Sequence, residues 1–182
     1  MGLRLKINDS IYLFFVTTTV QNFVKIFTDV RYCQVIIDNL NFYIRKYGFK
    51  LMAYVIMPEH LHLIVLTKVD TSISSFMRDF KKYTSVQIKR MLLADNNKKL
   101  ISVFRKNASG YKNQEFKLWT DRFDRLVLYT PKILQQKVDY IHFNPVRANL
   151  VKDILEWKYS SARNYYLDDH SVIRIDNEVV LI

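Results

Sequence analysis

Residues 49–67 read FKLMAYVIMPEHLHLIVLT. Two runs of apolar, β-branched and aromatic residues, 49–57 and 60–67, are parted only by Pro58 and Glu59, which suits a tight connection between antiparallel strands. On the N-terminal side, IYLFFVTTTV (11–20) is a further strand. It is followed by a segment in which Val30, Cys33, Ile37, Leu40 and Ile44 recur at helical spacing, with Thr28 or Asp29 to cap its start and Gly48 to end it. On the C-terminal side, residues 71–92 form a second amphipathic helix. Its apolar stripe is Ile73, Phe76, Phe80 and Tyr83, and Arg78, Lys81, Lys82, Lys89 and Arg90 supply charge. Residues 93–117 are polar and basic and read as a long mobile loop. RFDRLVLY (122–129) is a fourth strand. Thr130 then caps a helix that has Pro131 at its first position and is stopped by Pro145. The tail is aromatic in WKYSSARNYY and strand-like in VIRIDNEVVLI. This order predicts an α+β, ferredoxin-like (split βαβ) fold: an antiparallel sheet with helices on one face, plus a C-terminal helix. With no repeat and no linker, residues 1–182 form one domain, with a core of about 10–166 and a tail of 167–182.

The chain has 28 Lys and Arg against 17 Asp and Glu, a net charge of +11, and a pI near 9.7. A nucleic-acid partner fits this balance, and a solubilising surface or an anionic membrane is the alternative. Hydrophobic residues make up 49%, which excludes a disordered chain. Cys33 is the only cysteine, so no intramolecular disulfide can form and a cytoplasmic location is expected. MGLRLKINDS lacks the apolar core of a signal peptide, and Lys6 stands where a myristoylation site needs Ser or Thr. No apolar run approaches the roughly 18 residues of a membrane span. Gly2, Gly48 and Gly110 lie too far apart to build a phosphate loop or a dinucleotide fingerprint, so no nucleotide cofactor is expected through either motif.

Side chains alternate along a strand, so His60 and His62 point to one face and can share a divalent cation. A pair of half-buried histidines without a metal is the other reading. In DYIHFNPVRANLV (139–151), Tyr140 and Asn144 are four residues apart and share a helical face. Tyr140 offers a phenol oxygen, and Asn144 an amide oxygen suited to a hard cation. His142 lies about 200° around the helix from Tyr140 and faces away. Periodicity does not choose Tyr140 over Tyr129. Lys81, Lys82, Arg105, Lys106 and Lys112 could track phosphates, and Tyr54, Trp119 and Phe123 are base-stacking or core aromatics.

MPEHLHLIV resembles the His-hydrophobic-His motif of the single-tyrosine HUH endonucleases. Together with DYIHFNPVRANLV it resembles the REP-associated tyrosine transposases, relatives of the insertion-sequence transposases that move single-stranded DNA. FFVTTTVQN, FKKYTS, LWTDRFDR and WKYSSARNY extend the likeness over roughly 10–166. The resemblance implies an enzyme in which His60 and His62 bind Mg²⁺ or Mn²⁺ and Asn144 is the third ligand. Tyr140 is then the nucleophile, and cleavage of single-stranded or hairpin DNA leaves a 5′-phosphotyrosine and a free 3′-OH. Asn149 stands where the family often has Gly, and the basic segment 93–117 is longer than usual. The family includes monomers with the site in one chain and homodimers. A non-catalytic nucleic-acid binder and a metal-dependent hydrolase remain the rival readings.

Overall fold

The computed structural model describes residues 12–68, 72–112 and 114–176. Four strands, β1 (Tyr12–Thr19), β2 (Lys50–Ile56), β3 (His60–Thr67) and β4 (Asp124–Val127), form one antiparallel sheet in the order β2-β3-β1-β4. The helices are α1 (Val30–Tyr47), α2 (Ser72–Ala94), α3 (Lys98–Asn107), α4 (Pro131–Arg147) and α5 (Ala162–Leu167). The order and pairing are those of the ferredoxin-like plan. No helix of the described residues is long and apolar enough to cross a membrane.

Alternation along the strands divides the core in two. Phe14 and Val16 of β1 and Leu61, Leu63 and Val65 of β3 pack beneath α1, α2 and α3. Leu13, Phe15, Ile64 and Leu66 face the other way, against Leu134, Val138 and Ile141 of α4. A register shift between Leu51 and Ala53 resets the alternation of β2, placing Met52 and Ala53 both on the α4 side. The tyrosine-bearing helix therefore covers the face that α1 and α2 leave open. Its three buried aliphatic side chains contribute about 1.5–3 kcal/mol each. Burial on both faces also explains why β2 and β3 read as near-continuous apolar runs.

Local signals set the helix ends. Asp29 accepts a hydrogen bond from the Arg31 N–H at 2.9 Å to start α1, and Gly48 ends it at φ 64. Thr130 Oγ1 accepts from the Ile133 N–H at 3.2 Å to start α4. Pro145 does not stop this helix. It lies in the last turn, where its missing N–H costs one bond to Ile141, and α4 continues to Arg147. Asn149 then takes the left-handed conformation (φ 55), and the Leu150 N–H donates to the Pro145 carbonyl at 3.0 Å.

Four further expectations are corrected. Residues 93–117 are not one loop: α2 runs to Ala94, and Asn97 Oδ1 accepts from the Leu100 N–H at 3.1 Å to begin α3. Ile101 and Phe104 anchor α3 in the core through a short apolar stripe that the surrounding lysines obscure. Tyr83 is not part of the stripe of α2. It is exposed, and the buried face runs Phe76, Phe80, Thr84, Ile88. Val30 likewise lies outside the buried face of α1. Of the tail, residues 171–176 form no strand, and residues 177–182 lie outside the described residues. Residues 159–161 and 176 instead bond to β2 (Ile56 N–H to the Tyr159 carbonyl, Ser161 N–H to the Tyr54 carbonyl, Asp176 N–H to the Leu51 carbonyl) and cover its edge.

Cys33 is buried in α1, and its thiol donates to the Phe27 carbonyl at 3.1 Å. Burial pushes the thiol up to about 12. The native protein is therefore expected to resist a maleimide at neutral pH and to react promptly in denaturant. Fast labelling of the native chain would contradict this packing.

Candidate active site

β3 pairs with β1 so that His62 stands opposite Thr17 and His60 opposite Thr19. Both histidines face α4, and their ring centres are 4.7 Å apart. Tyr140 of α4 comes down on the same spot, its ring 5.1 Å from that of His62 and 5.8 Å from that of Phe15. Phe15 stacks on His62 at 5.3 Å. Residues 78 positions apart thus meet because α4 packs on this side of the sheet.

The ring nitrogens of the two imidazoles differ in their partners. Glu59 Oε1 lies 3.0 Å from His60 Nδ1, so the Nδ1–H donates to the carboxylate and Nε2 is the nitrogen left to meet a ligand. His62 Nδ1 bonds Thr17 Oγ1 at 2.9 Å, while its Nε2 is buried without a partner. An orphaned buried nitrogen is unusual in a native protein and fits a ligand position. Burial, reinforced by His60 and Lys137, pushes the His62 imidazole down to about 3, so it is neutral at physiological pH. Asn144, one turn beyond Tyr140, is also buried. Among the described residues no three His, Cys, Asp or Glu side chains cluster as metal ligands. The two imidazoles are the donors brought together here, and the amide oxygen of Asn144, on the same face of α4 as Tyr140, could complete a set suited to Mn²⁺ or Mg²⁺.

His142 does face away. Its Nε2 lies 3.0 Å from Ser161 Oγ, and its ring packs against Tyr165 and Tyr166. Burial pushes it down to about 4. The folded protein keeps His142 neutral, whereas the unfolded chain takes up a proton near pH 6.5, so stability present above about pH 6.5 is lost as pH falls toward 4. Wild type is expected to exceed His142→Asn in thermal midpoint at pH 7 by more than at pH 5. A constant difference would contradict the burial.

The basic residues singled out from sequence lie elsewhere. Lys81 Nζ donates to the carbonyls of Thr120, Asp121 and Arg122 at 2.6, 3.1 and 3.3 Å and braces that turn. Lys81 and Lys82 line a groove of about 590 Å³ between α2 and residues 114–123, on the face of the sheet away from the histidines. Arg105 and Lys106 are exposed on α3, and Lys112 is exposed just beyond it. Tyr54 and Trp119 are core residues. Tyr129 is 66% exposed and makes no ring contact with either histidine. The cations at the site are instead Lys137 and Arg147, which the sequence reading passed over. Lys137 Nζ is 5.4 Å from the centre of the Tyr140 ring, and Arg147 Cζ is 5.5 Å from it. Their spacing of −3 and +7 from Tyr140 was the available signal. Thr17, Phe15 and Glu59 became visible only with the strand register and the strand turn.

A family model described as "Transposase IS200 like" matches residues 10–142, a span that includes His60, His62 and Tyr140. The REP-associated tyrosine transposase of Escherichia coli (strain K12) is 30% identical over 118 residues, 64% of this chain and 56% of that protein. A relative from Haemophilus influenzae is 30% identical over 116 residues, 63% of this chain and 60% of that protein. Each match spans less than two thirds of the relative's length. A solved structure of a REP-associated tyrosine transposase bound to a REP hairpin superposes with a TM-score of 0.62 at 25% identity, over 91% of this chain and 92% of that one.

Proposed function

The chain belongs to the IS200-like transposases, and from that premise we propose that it cleaves and rejoins single-stranded DNA beside hairpins through a 5′-phosphotyrosine on Tyr140. The observation that carries this reading is the meeting of the Tyr140 ring with His62 and, through it, His60. The hairpin held by the relative of known structure supports hairpin DNA as the partner. The chain works in the cytoplasm, as monomer or homodimer, and no nucleotide cofactor is needed because the phosphoryl bond is exchanged and not hydrolysed.

In the step proposed, the phenol oxygen of Tyr140 bonds to phosphorus and the bond to the 3′ oxygen breaks. The phenol loses its proton to solvent and the departing 3′ oxygen gains one, so one phosphodiester replaces another. A 3′-OH later reverses the exchange. His60, His62 and Asn144 would hold Mg²⁺ or Mn²⁺, which supplies Lewis-acid polarisation of a non-bridging oxygen. Glu59 and Thr17 fix the two imidazoles, and Phe15 holds the rings of His62 and Tyr140 in place. Pinning both partners in advance removes the orientational cost of bringing them together.

The test is denaturing-gel capture with Mn²⁺ and a hairpin bearing single-stranded flanks, taken from DNA adjoining the coding sequence. The expected product is a covalent protein–DNA adduct and a fragment ending in a 3′-OH. Cleavage without an adduct would favour a hydrolase that uses water, and binding without cleavage a nucleic-acid binder.

A further inference from the structure

Two cations flank Tyr140, and among the described residues neither forms an ion pair with a carboxylate. Lys137 Nζ sits against two ring faces, 4.7 Å from the centre of Phe15 and 5.4 Å from that of Tyr140. Arg147 Cζ is 5.5 Å from the Tyr140 ring. At 3.6 residues per turn, Lys137, Tyr140, Asn144 and Arg147 fall within an arc of about 80° on α4. That arc lies beside the one formed by Leu134, Val138 and Ile141, which packs on the sheet. Glu59, the acid nearest the histidines in sequence, is bonded to His60. The neighbouring Asp139 accepts from Gln135 at 2.9 Å. Like charges converging on one ring without a counter-charge are unfavourable until an anion arrives.

We infer that Lys137 and Arg147 form a two-sided clamp for the phosphate that Tyr140 attacks and then carries, an inference that rests on Tyr140 as the nucleophile. Lys137 is the fixed side, because contact with two aromatic faces restricts where its ammonium can go. Arg147 is exposed, and its planar guanidinium can meet two non-bridging oxygens side by side. Negative charge grows on those oxygens as the fifth bond to phosphorus forms. Cations already in position need no reorganisation at that moment, so they act on the rate as well as on binding.

The experiment is single-turnover adduct formation by the full chain with Mn²⁺ and the same flanked hairpin, beside the salt dependence of single-strand binding. Lys137→Met and Arg147→Met are each expected to slow the adduct about tenfold, and the pair together about a hundredfold. Each should lower the slope of log K against log salt by about 0.7, the share of one phosphate that is no longer neutralised. Lys137→Arg should recover most of the rate, and Lys132→Met, exposed elsewhere on α4, should behave as wild type. Wild-type rate and slope in both Met variants would overturn the clamp and leave Tyr140 standing. A slow Lys137→Met with an unchanged slope and no recovery in Lys137→Arg would assign the lysine to packing and also overturn it. An adduct undiminished in Tyr140→Phe would overturn the clamp and the nucleophile together.

Discussion

The Tyr140→Phe protein is expected to bind a flanked hairpin as wild type does and to form no covalent adduct with it. The substitution deletes one oxygen, the atom that would attack phosphorus, so the loss should be roughly four orders of magnitude or more in rate. The ring remains, and with it the contacts to Phe15 at 5.8 Å and His62 at 5.1 Å. Stability should therefore change by less than about 1 kcal/mol. Tyr129→Phe is the matching control: that residue is exposed and away from the histidines, and its loss should be silent. The measurement is the adduct band on a denaturing gel, set beside binding by filter retention. A full-strength band from Tyr140→Phe would move the nucleophile elsewhere, and binding that fell with the band would mean the hydroxyl serves recognition.

The sheet was readable from residues 49–67 and 11–20 because runs of β-branched and aromatic residues and a two-residue connection are local properties. For the same reason His60 and His62 could be placed on one face, and Tyr140 and Asn144 on one side of a helix. What brings the two halves together is not local. Tyr140 reaches His62 because α4 packs on the second face of the sheet, and that packing depends on Leu13, Phe15, Ile64 and Leu66 being buried there. A strand buried on both faces gives no alternating pattern from which to tell its sides apart. The resemblance to the transposases supplied the pairing that periodicity left open between Tyr140 and Tyr129. Charge was the less dependable guide. Lysines clustered in sequence drew attention to α2 and to residues 93–117, yet Lys81 braces a turn and α3 is anchored by Ile101 and Phe104. The cations beside Tyr140 are isolated in sequence, and it is the helix that brings them to one side.

His62→Leu is expected to separate stability from function. The buried Nε2 of His62 has no partner within the protein, an arrangement that costs about 1–3 kcal/mol where no ion meets it. A leucine keeps apolar bulk against Phe15 and Tyr140 and removes that cost. Thr17, left without its bond, is only half-buried and can turn to water. The metal-free variant should therefore unfold at or above the wild-type temperature, as happens where a functional site is held against local stability. With Mn²⁺ the order should reverse. An ion held by the folded state alone adds about 2.7 kcal/mol at a hundred times its dissociation constant, and the variant, short of one imidazole ligand, should lose most of that gain. Adduct formation should fall by about a thousandfold or more with it, since charge stabilisation at the phosphate goes with the ion. Thermal midpoints with and without Mn²⁺, for wild type and His62→Leu, give both readings in one series. An Mn²⁺-induced rise as large in the variant as in wild type would remove His62 from the metal site. A metal-free variant several degrees less stable than wild type would show that the unpartnered nitrogen was not a cost, and that the imidazole is held there by its bond to Thr17 and its stacking on Phe15.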